Sequence, residues 1–115
     1  MSYFDGVVIP VPTKNKAAYL AMAEKMAEMF KANGAEQIVE GWGHDVPEGE
    51  VTSLSKAVLR EEDETVVFSW IRWPSKEVRD AAWGVISQSP EMTEMEPVFD
   101  GKRMIFGGFD VLMEA

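Results

Sequence analysis

The segment TVVFSWIRW at 65–73 carries apolar side chains on both of its faces. Val66, Phe68 and Trp70 share one parity, and Val67, Ile71 and Trp73 share the other. Successive side chains of a strand point to opposite faces of the sheet, so a strand with one wet face alternates apolar and polar residues. This segment does not, and the rest of the chain has to supply a cover for each face.

The remaining elements follow from local pattern. Val7-Val8-Ile9 predicts a strand over 3–11, ended by Pro10 and Pro12 because neither can donate to a ladder. Thr13 is the expected cap of a helix over 14–33, where Tyr19, Met22, Ala23, Met26 and Phe30 recur at helical spacing opposite Glu24, Lys25, Glu28 and Lys31. Its methionines read as core filling, and Gly34 suits the left-handed position that closes a helix. A second strand is expected within 35–45. The partial alternation at 51–60 predicts a further extended piece, and Glu61 to Glu64 a solvated acidic loop.

Ser75 caps a second helix whose apolar face is Val78, Ala81, Ala82, Val85 and Ile86. The last strand spans 103–113, where the paired Gly107 and Gly108 suggest a bulge or a close backbone approach. Strand, helix, strand, strand, helix, strand is the split βαβ order, so the expected fold is an α+β, ferredoxin-like sandwich with an antiparallel sheet, one domain over 1–115.

Two helices cover only one face of such a sheet. The other face would be an apolar patch larger than monomers usually expose, and packing sheet to sheet in a symmetric homodimer removes it. The strands at 66–73 and 103–113 are expected at that interface.

Charge narrows the partners. Twenty acidic residues against eleven basic ones give a formal net charge of −9, which repels phosphate backbones and argues against nucleic acid and anionic lipid. The absence of cysteine excludes disulfides, thiolate chemistry and Cys-based zinc sites. No stretch approaches the ~20 apolar residues of a membrane span. The start of the chain lacks the basic and apolar regions of a signal peptide, so a cytoplasmic location is expected.

Candidate chemistry is sparse, and neither a metal site nor a cofactor is expected. His44, the sole histidine, is a candidate general base beside Asp45, although a surface histidine at a strand end is the simpler reading. Trp70 and Arg72 share a strand face and could stack on and pair with an anionic aromatic ligand, against the plainer reading of a core tryptophan beside an arginine reaching water. Tyr3 and Asp5 project to one side of the first strand. Asp5 is a candidate buried carboxylate, with Arg103 or Lys102 as the expected basic partner. Arg103, in the turn Asp100-Gly101-Lys102-Arg103, is a further candidate for holding an anion.

The blocks MSYFDGVVIPVP, DETVVFSWIRWPSKEVRDAA and FDGKRMIFGGF together resemble the YbaA-like family of uncharacterised bacterial proteins. That resemblance implies the dimeric α+β barrel superfamily, in which ferredoxin-like units pack sheet to sheet. Its wider relatives include cofactor-independent monooxygenases and haem-degrading enzymes, which place substrate between the sheet and the helices. The resemblance implies little about activity, and the expected roles are a small-molecule binder or cofactor-independent enzyme with a pocket around Tyr3, Asp5, Trp70, Arg72 and His44, or a non-catalytic dimeric regulatory or protein-interaction module. A label on some family members refers to RNA, which the charge of this chain opposes.

Overall fold

The computed structural model describes residues 2–115. Its elements run β1 (Tyr3–Pro12), α1 (Lys16–Ala32), β2 (Gln37–Trp42), α2 (Leu54–Ala57), β3 (Glu64–Trp73), α3 (Lys76–Ile86), α4 (Pro90–Thr93) and β4 (Ile105–Asp110). The strands form one antiparallel sheet in the order β2-β3-β1-β4, the ferredoxin-like arrangement. Strands β1 and β3 pair over their full lengths, from Tyr3 opposite Trp73 to Pro12 opposite Glu64.

Strand β1 continues through both prolines instead of ending at them. Strand β4 reaches only as far as Val8, which lies opposite Ile105. The Thr13 amide donates to the Asp63 carbonyl on the β3 side. By alternation, positions 10 and 12 face the side where β4 has already ended, so no ladder bond is lost there.

The helix-covered face holds most of the core. Phe30 of α1 and Ala82 and Ile86 of α3 pack on Tyr3, Ile71 and Trp73, while Tyr19 and Ala23 pack on Ile9, Val11 and Val67. Phe30 meets Trp73 and Trp83 edge-on, with ring centroids 6.2 and 5.3 Å apart. Ser75 caps α3 as expected, its hydroxyl accepting from the Val78 amide, and Gly34 takes a φ of +107° after α1. The apolar face of α3 is rotated from the expected one. Ala81 and Val85 are exposed and Trp83 packs inward, because its indole N–H has a partner beneath the helix.

Three further expectations are corrected. Thr13 begins a single 3-10 turn, and its hydroxyl pairs with that of Thr65 rather than capping α1. The segment at 51–60 is not extended: Leu54–Ala57 form one helical turn, with the Ser53 hydroxyl accepting from the Lys56 amide at 3.0 Å. Val58 follows, buried against Val8 and Val66 on the sheet face opposite α1 and α3, so this turn covers one end of that face. Finally, Gly107 and Gly108 pair in regular register with Gly6 and Asp5, without a bulge. They answer a close approach instead, since a Cβ on Gly108 would stand 2.2 Å from the Tyr3 hydroxyl oxygen.

Candidate functional site

The sheet separates the residues that the sequence groups together. In the β1–β3 register, Asp5 lies opposite Ile71 and Phe4 opposite Arg72, so Tyr3 and Asp5 face the helices while Trp70 and Arg72 face away. His44 is exposed beyond the far end of β2 from Gln37, the residue opposite Arg72. The structure brings Tyr3 to Asp5 and Trp70 to Arg72, but it does not bring the two pairs, or His44, into one pocket.

Beneath the helices, Asp5 is only 4% exposed. One of its oxygens, Oδ2, accepts from the indoles of Trp73 at 2.9 Å and Trp83 at 3.1 Å. The other, Oδ1, accepts from Arg79 Nη2 at 2.8 Å and Nε at 3.1 Å. The guanidinium also lies 5.3 Å from the centre of the Tyr3 ring, within cation–π range. The basic partner of Asp5 is therefore Arg79, not Arg103 or Lys102. Asp5 sits near the start of β1 under α3, whereas Arg103 lies by the opposite end of that strand. A carboxylate holding this many donors in a buried site is a structural clamp, with no open lone pair aimed at a cleft.

Arg103 clamps the other end. Its Nη1 and Nη2 donate to the two oxygens of Glu64 at 2.7 and 2.6 Å, its Nε to Asp100 at 3.0 Å, and Nη1 also to the Leu59 carbonyl at 3.0 Å. Leu59 takes a left-handed φ of +52°, and this bond helps hold the turn that seats Val58. Glu64, expected in a solvated loop, is instead buried at the start of β3. The Arg103 guanidinium holds its carboxyl below the usual carboxylate range. Arg103 is committed to internal partners, which leaves it little capacity for an outside anion.

Sequence reasoning missed Arg79 and Trp83 as partners of Asp5, and it missed the pairing of Tyr19 with Glu40. The Tyr19 hydroxyl donates to Glu40 Oε1 at 2.7 Å, and loss of hydration raises the pKa of both groups. The only local signal for the first pair is the i,i+4 spacing of Arg79 and Trp83, which puts them on one side of α3.

The opposite sheet face is aromatic and largely bare. Phe68, Trp70, Ile105 and Phe109 are 45, 37, 41 and 51% exposed. Phe4 stacks on Phe109 with centroids 5.4 Å apart, and Phe68 meets Trp70 edge-on at 6.4 Å. A cleft of about 260 Å³ opens here, floored by Phe4, Gly6, Phe68, Trp70 and Arg72. Its remaining wall is the chain after β4, through Val111, Met113 and Glu114. Arg72 pairs with Glu114, reaches Glu36 at 3.5 Å and donates to the Ser2 hydroxyl at 3.0 Å. A larger open groove of about 540 Å³ runs between α1 and residues 90–96, but none of the candidate residues lines it.

Residues 2–101 match the family described as "Protein of unknown function (DUF1428)". The chain belongs to that family. The uncharacterized protein YbaA of Escherichia coli (strain K12) is 53% identical over 116 residues, spanning 99% of each chain, so the resemblance read from the sequence holds over its full length. Among solved structures, a dimeric ferredoxin-like protein from an uncultured marine organism aligns with a TM-score of 0.64 at 9% identity, covering 99% of this chain and 98% of its own. A Bacillus cereus protein, provisionally described as an antibiotic biosynthesis monooxygenase, aligns at 0.50 and 13% identity, covering 99% and 96%. These likenesses carry the fold, which is α+β and ferredoxin-like. Among the described residues, no helix is long and apolar enough to cross a membrane.

Proposed function

We propose that the protein works in the cytoplasm as a small-molecule-binding homodimer whose two copies meet through the aromatic sheet face. The observation that carries this reading is the exposed row of Phe68, Trp70 and Phe109, with half-buried Phe4 among them, beside Arg72 on the face that α1 and α3 leave open. A second copy is the occupant that charge favours. The chain carries −9 overall, yet the exposed centre of this face is uncharged, with Arg72 at its edge. Two copies can therefore meet here without opposing like charges. The marine protein is described as dimeric, which supports the pairing of two copies though not the face they use. The cleft beside Trp70 then lies at the seam, where its aromatic walls and guanidinium suit a small planar aromatic acid.

A second reading, a non-catalytic interaction module, draws on a different observation. The lining of the cleft holds Arg72 and Glu114, which pair with each other, as its ionisable groups, while Asp5, Glu64 and Arg103 lie outside it and are engaged by internal partners.

Light scattering on a size-exclusion column tests the assembly. The wild type should elute at twice 12.9 kDa, and Phe68→Glu should give a folded monomer with an unchanged circular dichroism spectrum. A wild-type monomer at micromolar concentration overturns the dimer. A thermal-shift series with aromatic carboxylates tests the ligand: saturable stabilisation that Trp70→Ala removes supports the cleft, and no stabilisation by any of them favours the interaction module.

A further inference from the structure

The wall of the aromatic cleft that the sheet does not supply is itself shaped like a ligand. After β4 the chain crosses the sheet at the Ser2 end, held by a backbone bond from the Val111 amide to the Ser2 carbonyl at 3.3 Å. It then lays Met113 and the Glu114 carboxylate against Phe4, Trp70 and Arg72. An apolar group followed by a carboxylate is the chemistry the cleft is suited to receive.

We propose that residues 111–115 act as a displaceable internal ligand, with Glu114 holding the place on Arg72 that the carboxylate of a small planar aromatic acid takes when it binds. The inference rests on the reading of this cleft as a small-molecule site. The anchoring of the segment supports displacement. In the single chain Leu112 is 99% exposed and Met113 75%, and residues 111–115 form no regular element. Arg72 lies at the edge of the face, and in the single chain its side chain and that of Glu114 are 34 and 51% exposed, so their ion pair is of the weak, solvent-screened kind.

An incoming carboxylate replaces that pair like for like. Its ring adds contact with Trp70 and Phe68 that the flexible Met113 side chain cannot match in area or in edge-to-face geometry. Glu36 stays beside the guanidinium during the exchange, so Arg72 keeps a second partner that orients it.

The test uses 2-naphthoate as the probe and the full chain throughout, with tryptophan fluorescence and calorimetry as readouts. Glu114→Gln should tighten 2-naphthoate binding about threefold to fivefold, the effect of removing a competing exposed ion pair. Glu94→Gln removes one negative charge in the other groove and should leave the affinity unchanged, which separates competition from net charge. Uncharged 2-naphthalenemethanol, which competes with Met113 but not with the Glu114 carboxylate, should gain less from Glu114→Gln than 2-naphthoate does. Arg72→Gln should abolish binding in both the wild-type and Glu114→Gln backgrounds.

Equal affinity of wild type and Glu114→Gln overturns the internal ligand while leaving the small-molecule site standing. An equal gain in Glu94→Gln overturns it as well, because bulk charge would then explain the effect. Failure of 2-naphthoate to bind any variant with Arg72 intact overturns the aromatic-acid reading of the cleft, and the internal ligand with it.

Discussion

Replacing Asp5 with alanine tests the central structural claim on the helix-covered side. The carboxylate satisfies the indole of Trp73, a residue that is fully buried, and the indole of Trp83, and it pairs with Arg79. Removing it leaves the Trp73 N–H without a partner in a place water cannot reach, a loss of about 1–3 kcal/mol. Breaking a buried pair by deleting one partner typically costs about 3–5 kcal/mol. The Arg79 side chain is 22% exposed and already donates to Asp80 at 2.9 Å, so it can turn outward and recover part of that loss.

We therefore expect Asp5→Ala to cost about 3–4 kcal/mol, and at about 4 °C per kcal/mol for a chain of this length the melting temperature should fall by about 12–16 °C. Urea unfolding of Asp5→Ala, Arg79→Ala and the double variant measures this directly. The double variant should cost clearly less than the sum of the singles, because the two groups lose the same contact. A loss below ~1 kcal/mol, or strict additivity across the cycle, would refute the clamp.

Two other predictions concern the opposite end of the sheet and the glycine pair. Glu64 titrates below the usual carboxylate range in the folded protein because Arg103 bonds its ionised form, so the folded state binds fewer protons than the unfolded one. Its stabilising contribution should be complete above the ordinary carboxylate pKa of ~4.3 and be lost as pH falls through the lower folded value. The gap in urea midpoint between wild type and Glu64→Gln should accordingly narrow from pH 7 to pH 3, and a constant gap would count against the pairing. Gly108→Ala should cost about 1–3 kcal/mol through forced displacement of the Tyr3 ring. Gly101→Ala is its control, having no atom within 4 Å of the added Cβ, and equal melting temperatures for the two variants would show that the ring is not held there.

The parts of the fold legible in the sequence are those with short-range causes. Helix α1 shows in its three- and four-residue apolar spacing, and α3 begins at Ser75 because that hydroxyl caps the first turn. Strand β3 shows in its β-branched and aromatic run, and the doubly apolar pattern correctly anticipates a second apolar sheet face. Strand β1 was placed but cut short, because whether a proline harms a ladder depends on where the neighbouring strand stops.

What escaped the sequence involves distant partners. Asp5 and Arg79 are 74 residues apart, and Glu64 and Arg103 are 39 apart. No local pattern states which of eleven basic residues will meet which of twenty acidic ones. The helical turn at Leu54–Ala57 escaped because its burial comes from Val58 docking on Val8 and Val66, not from its own periodicity.

The candidate site shows the same division. That Trp70 and Arg72 share one face, and that Tyr3 and Asp5 share one face, follows from parity alone. Which of those faces the helices cover is fixed only when β1 and β3 pair in register and α3 docks over Asp5. The sequence by itself therefore determined the four strands and the two long helices, their order and the apolar character of both sheet surfaces, because these arise from neighbouring residues. Tertiary packing alone decided that Asp5 on the helix-covered surface is consumed as a clamp while the aromatic groups at the centre of the other surface stay open, because long-range contacts assign each side chain its partner.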